Sequence, residues 1–254
     1  MAYNKHPVLD EPADNQVLWR YMDLEKLVAL LEYETLFFAR LSALAKDDPF
    51  EGLPARWEAE AFKDAERRAG DMPRLSEGVR IVPASVESLG QLGMPRDMLC
   101  VSCWHASSHE SAAMWNMYSR QGKGIAIRST FQRLKTSLLA CGEEVYGGNV
   151  KYVDFDMHKP QRSNIYEWAT CKRLGFAHEM EFRVIAMRLG GNLSGTDGVS
   201  LNVATSELLE SIIISPYQSS WVEDTVRRLV QRYSIPTDVR KSSLLSLPEY
   251  FLGT

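Results

Sequence analysis

The chain has 254 residues, of which 45% are apolar and 24% charged, and its formal net charge is −4. These values are ordinary for a folded globular protein that can bury a core without disulfide staples. The net negative charge excludes a global basic field for non-specific nucleic-acid binding, though not a local basic patch. No apolar run approaches the roughly 18 to 20 residues of a membrane span, and the start "MAYNKHPVLDEPADNQ" is unlike a secretion signal. We therefore expect a cytoplasmic protein without a membrane partner.

The first part of the chain predicts a strand, a helix and a second strand. "QVLWRYMD" alternates as a strand does, with Trp19 and Tyr21 on one face and Leu18 and Arg20 on the other. Apolar residues from Leu24 onwards recur at helical spacing. The next elements are predicted as a strand at "ETLFFAR", a loop at "KDDPFEG" and a helix over residues 55–70.

The middle and late parts of the chain continue in mixed order. "MLCVSCWH" predicts a strand, and a capping-box pattern from Ser107 to Glu110 predicts a helix through "ESAAMWNMYSR". The elements predicted after it are strands at "QGKGIAIRS" and "NVKYVDF", a helix over 161–175, strands at "AHEMEFRVI" and "ESIIISP", a helix around 226–233, and an irregular tail from residue 234.

This order predicts one α+β domain over residues 17–235, with an N-terminal extension at 1–16 and a C-terminal tail at 236–254. The strands and helices lack the regular alternation of a doubly wound parallel sheet. We expect a mixed, mainly antiparallel sheet flanked by helices. The usual phosphate-loop, dinucleotide-binding and hydrolase-elbow patterns are absent from the sequence.

The four cysteines do not form a disulfide framework. Cys100 and Cys103 make a C-x-x-C pattern, but zinc would need a second pair at close spacing. His105 could add one ligand, and a fourth is not apparent. We predict no metal site.

The stretch "AHEMEFRVI" is the strongest candidate for a functional strand. As a strand, its alternation would place Glu179, Glu181 and Arg183 on one face. Met180 and Phe182 would then face the core with Val184. The polar row is either a solvated face with cross-strand ion pairs or part of an active site, and the pattern alone leaves both open.

Several landmarks in order resemble a bacterial family catalogued as a domain of unknown function, number 2971. They are "LWRY" before a helix, "DDPFEG", "VSCWHASSHESAAMWNMYSRQGKGIAI", "KYVDF", "KRLGFAHEMEFRV" and "IIISPYQSSWVEDTVRRLVQRY". The resemblance spans roughly residues 17 to 235. Asp47 stands where the family usually has Asn, and Cys103 where it usually has Phe.

The order of these elements is also similar to that of the ADP-ribosyltransferase fold, whose enzymes use NAD as co-substrate. That resemblance implies Arg20 on the first strand, Ser102 on a middle strand and Glu181 on a later strand as site residues, with Glu179 as the first acid of the pair. It implies transfer of ADP-ribose to a protein or nucleic-acid acceptor, as in a bacterial toxin or phage-defence effector.

The chemistry of such a site assigns each residue a role. Cleavage of the nicotinamide–ribose bond develops positive charge, which Glu181 would stabilise, while Glu179 would orient or deprotonate the acceptor. Arg20 suits a pyrophosphate, and Ser102 would hold the strand end or the ribose. The aromatic residues that could stack on nicotinamide or adenine are Tyr21, Trp115 and Tyr118.

A structural reading of the same residues stays open. Arg20 could pair with either glutamate, and Trp115 and Tyr118 could be core aromatics. Lys172 is expected on a solvated helix face. The residues expected to serve turn structure are Asp48 and Glu51, and His105 and His109 are acid–base candidates by side-chain type but more typical of structural or exposed positions.

Two other functional classes are compatible with the sequence. Clustered carboxylates could hold Mg²⁺ in a metal-dependent nucleic-acid-processing enzyme, although only one close acidic pair is present. The chain could also be a non-catalytic module that binds a nucleotide or a protein. The first hypothesis requires Arg20, Ser102 and Glu181 to meet at one cleft.

Overall fold

A nine-stranded sheet runs through the protein in the computed structural model, which describes residues 3–70, 94–118, 123–157, 164–188 and 196–248. The strands are β1 (Val17–Met22), β2 (Thr35–Arg40), β3 (Leu99–Ala106), β4 (Ile125–Thr130), β5 (Val145–Asn149), β6 (Lys151–Val153), β7 (Cys171–Arg173), β8 (Glu181–Met187), β9 (Gly198–Asn202), β10 (Ser211–Ile214) and β11 (Asp238–Lys241).

Helices cover both faces of this sheet. They are α1 (Leu24–Tyr33), α2 (Leu41–Leu44), α3 (Arg56–Gly70), α4 (Met94–Met98), α5 (Ala112–Tyr118), α6 (Phe131–Ser137), α7 (Thr205–Leu208) and α8 (Ser220–Arg232), with 3-10 helices at Leu138–Ala140, Ile165–Thr170 and Leu174–Glu179. None of the helices in the described part of the chain has the length and apolar character that a bilayer crossing requires.

The strands of the main sheet pair mostly antiparallel. Their order is β11-β10-β4-β1-β3-β2-β9, and β8 joins β3 and β5. Only β10 and β11 pair in parallel within the described part of this sheet, while β6 and β7 form a separate parallel pair. The predicted α+β domain with a mainly antiparallel sheet is confirmed.

The core lies on both faces because consecutive strand side chains alternate. Leu18, Phe38, Trp104, Phe182 and Val226 belong to the largest apolar cluster and are fully buried or nearly so. Burial of one such side chain contributes about 1.5–3 kcal/mol. Two smaller clusters cover the opposite face, one around 3-10 helix Ile165–Thr170 and one around α5.

The main sheet has a fork at one edge of β3. β1 pairs with β3 through Leu18–Ala106 and Trp19–His105, whereas β2 pairs with it through Ala39–Val101 and Arg40–Cys100. β8 runs along the opposite edge of β3 from residue 99 to 105. β1 and β2 therefore share one edge and diverge there, which leaves residues 102–104 between them.

Several sequence predictions of elements were wrong in detail. Residues 164–175 do not form an α-helix: a 3-10 helix, β7 and the start of a second 3-10 helix lie there, and 161–163 lie outside the described residues. The "NVKYVDF" strand is split between β5 and β6. Part of the tail that was predicted to be irregular forms β11, which pairs with β10.

The predicted capping box before α5 is not formed as expected. The Ser107 Oγ accepts a hydrogen bond from the His109 N–H, at 3.2 Å, and the helix begins only at Ala112. Glu110 instead accepts from the Trp115 Nε1–H at 3.0 Å. The last two residues predicted for this helix, 119 and 120, lie outside the described residues.

Candidate active site

A cavity of about 640 Å³ lies at the fork between β1 and β2. β1, β2 and β3 form its walls, together with one side of α1, the turn at 47–51, Tyr118 of α5 and the segment from Lys172 to Arg183. Its volume falls within the range of about 300–1,000 Å³ that is usual for small-molecule sites. Because the sheet is open at the fork, residues from both of its faces reach this one cavity.

Arg20 reaches into the fork from β1 and bridges the strands that diverge there. Its guanidinium donates to Ser102 Oγ and, at 2.9 Å, to the Phe37 carbonyl oxygen, and it lies over the Trp104 ring at 5.7 Å. Within the described residues it forms no ion pair with a carboxylate. Burial lowers its pKa, because removal of a guanidinium from water disfavours its charged form. Arg20 is thus a cation in a fixed position that can bind an anionic group of a ligand.

Five charged side chains form a buried cluster on another wall of the cavity. They are three carboxylates and two cations: Glu51, Glu179, Glu181, Lys172 and Arg183, each at most 6% exposed. Three negative charges against two positive charges leave the cluster with a net charge of −1. Buried charges of this kind are costly unless each is paired.

Arg183 joins Glu51 and Glu181. Its Nη1 donates to Glu51 Oε1 at 2.5 Å, while its Nη2 donates to Glu51 Oε2 at 3.1 Å and to Glu181 Oε2 at 2.7 Å. Its Nε also donates to Glu181 Oε2, at 3.0 Å, and a further bond from Nη1 to the Ala169 carbonyl oxygen fixes the guanidinium. The sequence expectation that Arg183 and Glu181 share a face is met, but the pair is buried and not solvated.

Lys172 forms ion pairs with Glu179 and Glu181, the two glutamates of "AHEMEFRVI". Its Nζ donates to Glu179 Oε2 and lies 3.7 Å from Glu181 Oε2. The Tyr118 hydroxyl donates to Glu179 Oε1 at 2.7 Å. The expectation that Lys172 lies on a solvated helix face was wrong, because Lys172 belongs to the short strand β7 and is 6% exposed.

The two glutamates reach the cavity through a turn that the alternating pattern did not predict. Glu179 ends a 3-10 helix and β8 begins only at Glu181, so Glu179 is not a strand residue. Between them Met180 adopts the left-handed conformation, with φ of 43°, and is half exposed. The prediction that Met180 faces the core was wrong. The left-handed turn leaves the Met180 side chain half exposed, while Glu179 and Glu181 on either side of it are buried at the cavity.

The cations hold the Glu181 carboxyl in its ionised form. Burial alone would raise the pKa of Glu181, but Arg183 and Lys172 outweigh it and the pKa is lowered. The pKa of Lys172 is raised, although burial acts to lower it, because Glu181 and Glu179 stabilise its charge. The pKa of Tyr118 is raised by burial and then by Glu181 and Glu179. At neutral pH Glu181 therefore presents a carboxylate, Lys172 an ammonium and Tyr118 a neutral phenol.

We predict an acid-sensitive fold as a result of the Glu181 pKa. The pKa of Glu181 in the folded state lies below its ordinary value of 4.5. The stabilisation that the ionised Glu181 contributes is therefore fully present above pH 4.5, and it is lost as the pH falls through the folded-state pKa. Urea unfolding at pH 7, 5, 4 and 3 should show the loss confined to the acid end. Glu181→Gln should lose less stability over the same interval, and an identical slope for both proteins would contradict the assignment.

The other residues that were proposed from the sequence lie at different depths. Tyr21 lines the cavity, and its hydroxyl accepts from the Ser111 N–H at 2.8 Å. Trp115 is fully buried behind Tyr21, with ring centroids 4.9 Å apart, and is not among the residues that line the cavity. Ser102 is also fully buried, where it accepts from Arg20 and from the Trp104 Nε1–H. It is not among the residues that line the cavity, so Arg20 and Glu181 meet at one cleft as the first hypothesis requires, whereas Ser102 lies behind Arg20. Arg20, Tyr21, Tyr118, Glu179 and Glu181 line the cavity together.

The turn at 47–51 contributes more than turn structure. Asp48 Oδ1 accepts from the Phe50 N–H at 3.1 Å, as expected of a turn acid, but also from Arg173 at 2.6 Å. Glu51 is buried against Arg183. Both acids line the cavity. Two ion pairs thus fix this turn to the β7 and β8 region. No local pattern predicts them, because the partners are far apart in the chain.

The C-x-x-C cysteines point to different faces of β3. Cys100 packs in the largest apolar cluster, whereas Cys103 lies opposite Arg183 and lines the cavity. Burial, and then Glu181, raise the pKa of the Cys103 thiol to about 12, so it is a neutral thiol at physiological pH. In the described part of the chain no three His, Cys, Asp or Glu side chains are grouped as metal ligands would be.

Comparisons with protein-family models, with curated proteins and with solved structures found no match for this chain.

The chemical capacity of the site follows from its geometry. The cavity combines the Arg20 guanidinium, which forms no ion pair with a carboxylate among the described residues, with the Glu181 carboxylate, which the neighbouring cations hold in its ionised form. Arg20 can bind a phosphate oxygen, and a fixed carboxylate can stabilise positive charge that develops in a bound substrate.

Proposed function

We propose that the chain is an ADP-ribosyltransferase-like enzyme that binds NAD in the cavity at the fork, cleaves its nicotinamide–ribose bond and transfers ADP-ribose to a macromolecule. One observation carries the proposal: Arg20 and Glu181, from strands far apart in the sequence, line the same nucleotide-sized cavity. The site would then match an anionic pyrophosphate at Arg20 and a cationic reacting centre at the glutamates. This is the arrangement of charge that NAD itself presents.

Each residue has a role in this proposal. Arg20 binds the pyrophosphate, and Ser102 acts as a positioning residue because its hydroxyl oxygen accepts from the Arg20 guanidinium. Glu181 stabilises the oxocarbenium-like transition state as the bond to nicotinamide breaks. Glu179 orients the acceptor group, and Tyr21 and Tyr118 offer aromatic surface to the ligand.

Lys172 and Arg183 support the glutamates without contacting the reacting atoms. Two carboxylates at one site would normally raise the pKa of one another. The two cations prevent this for Glu181, whose pKa is lowered. The carboxylate is therefore available at neutral pH, and its orientation is fixed by the bonds from Arg183.

The direct test is incubation of the purified chain with NAD. Nicotinamide release is measured by chromatography, and transfer is measured with labelled NAD and a bacterial lysate. The proposal predicts both free nicotinamide and labelled macromolecule. Failure of the protein to bind NAD in calorimetry would contradict it.

We predict that Arg20→Gln weakens NAD binding by about tenfold or more, since a hydrogen bond to a charged group contributes about 1.5–3 kcal/mol. ADP-ribose binding should weaken by the same factor, because it shares the pyrophosphate. Calorimetry at two salt concentrations measures both ligands. Arg188→Gln is the matched control, as Arg188 forms an ion pair with Glu143 and does not line the cavity. Equal NAD affinity for wild type and Arg20→Gln would remove Arg20 from the site.

A non-catalytic nucleotide-binding module is the second candidate, and one observation favours it. The carboxylates of Glu179 and Glu181 already accept bonds from Lys172, Tyr118 and Arg183, as in a structural ion-pair cluster. Such a module would bind NAD or another nucleotide without releasing nicotinamide. Stoichiometric binding with an unchanged nucleotide after long incubation would favour this function over the enzyme.

A further inference from the structure

His105 occupies a position beside the glutamates that the roles above leave unused. It lies on β3 directly opposite Glu181 in the strand register, and directly opposed residues of an antiparallel pair point to the same face. Its side chain is 4% exposed and lines the cavity. His105 and Glu181 are therefore neighbours at the same wall.

One nitrogen of His105 is committed to the backbone. Nδ1 lies 2.6 Å from the Glu179 carbonyl oxygen. A carbonyl oxygen can only accept, so Nδ1 carries the proton, and in the neutral imidazole Nε2 keeps its lone pair. The same bond fixes the ring orientation, as the partner of a catalytic histidine usually does. Since the partner is a main-chain oxygen, this tautomer does not depend on the ionisation of the Glu179 side chain.

Polar and charged side chains surround His105 at this wall of the cavity. Glu181 faces it from β8, and Tyr21 contacts it from β1 with ring centroids 6.2 Å apart. Cys103 lies two residues before it on the same face and stays a neutral thiol. The remaining charged groups of this wall are Glu179, Glu51, Lys172 and Arg183, and the cluster has a net charge of −1. An imidazolium would neutralise that charge.

We propose, resting on the proposed function, that His105 is the general base of the reaction. The acceptor hydroxyl, or water, attacks C1′ of the NAD ribose through an oxygen lone pair and forms the C–O bond. The C1′–N1 bond breaks, and its electron pair leaves with neutral nicotinamide. The proton of the attacking oxygen passes to Nε2 of His105 and later to solvent. Glu181 stabilises the positive charge that develops on the ribose, while His105 accepts the proton of the attacking oxygen.

His105→Asn isolates this role. The Asn amide nitrogen can replace Nδ1 as donor to the Glu179 carbonyl oxygen, but no atom replaces Nε2. We expect the rate of nicotinamide release at saturating NAD to fall by about a hundredfold or more, with NAD affinity retained. The wild-type rate should fall as the pH is lowered from 8 to 5, because the base becomes protonated, whereas the variant should lose this acid limb. His109→Asn is the control, since His109 is exposed and its hydrogen bonds within the described part of the chain are to its neighbours Ser108 and Ser107.

A second variant covers the case in which His105→Asn is unstable. His105→Ala opens space beside Glu181, and added imidazole should restore nicotinamide release in a concentration-dependent way. A wild-type protein that binds no NAD would overturn the proposed function and this inference with it. An active wild type with an unchanged rate and pH profile in His105→Asn would overturn His105 alone. Absence of imidazole rescue in a folded His105→Ala protein would also count against the base.

Discussion

Glu181→Gln is expected to reduce nicotinamide release from NAD by about a thousandfold, as loss of a preorganised charge-stabilising group does in other enzymes. The amide keeps the shape of the side chain and an oxygen that can accept from Arg183, but it removes the charge that faces the ribose. NAD binding should change by less than about tenfold, because the pyrophosphate contact to Arg20 is intact. Single-turnover rates and calorimetry on the same preparation separate the two quantities.

The matched control for Glu181→Gln is Glu223→Gln on α8. Glu223 pairs with Arg227 at 2.7 Å on the surface, so the same chemical change is made in an exposed ion pair. It should alter neither nicotinamide release nor NAD affinity. Wild-type turnover in a folded Glu181→Gln protein would show that the buried carboxylate is structural, and the nucleotide-binding module would then be the better proposal.

The sequence predicted those parts of the fold that local patterns determine. The alternation in "QVLWRYMD" predicted β1 with its two faces, "MLCVSCWH" predicted the strand that is β3, and the spacing of apolar residues predicted α1. These patterns work because strand and helix periods are fixed by the backbone. The fork between β1 and β2 has no such pattern, since it depends on where two distant strands join β3.

In the candidate site, too, some residues could be predicted from the sequence, whereas others depend on tertiary contacts. Arg20, Glu179 and Glu181 were proposed from residue type and order, and they do line one cavity. The left-handed Met180 was missed because a non-glycine residue rarely adopts that conformation. Glu51 and Lys172 were missed because an ion pair depends on tertiary contact: Glu51 meets Arg183 from a turn that lies far away in the sequence.

Glu51 and Lys172 change the interpretation of Glu181 and Arg183 on β8, because they make these charges part of a buried cluster. On a solvated strand face, its charges would contribute at most about 1 kcal/mol per pair. In the buried cluster, the cost of removing charge from water is offset only while all five side chains are present. The same cations that stabilise the fold therefore keep Glu181 ionised, so stability and proposed chemistry depend on the same contacts.

Arg183→Met is expected to lower the free energy of unfolding by about 3–5 kcal/mol, the cost of leaving a buried charge without its partner. Three carboxylates would then face Lys172 alone. Urea denaturation at pH 7 measures the loss, and Arg227→Met on the surface is the control, with an expected loss of at most about 1 kcal/mol. A loss for Arg183→Met as small as that of the control would contradict the buried-cluster description.

The pH dependence of Arg183→Met should have the opposite sign to that of the wild type. Without Arg183, burial and the neighbouring carboxylates act to raise the pKa of Glu181 in the folded state. Protonation of Glu181 then favours folding, so part of the lost stability should return as the pH falls from 7 towards the ordinary value of 4.5, above the acid range in which the wild type itself loses stability. Adding Glu51→Gln to Arg183→Met should recover stability at pH 7 by the same reasoning, and the double variant should be more stable than the sum of the single changes predicts.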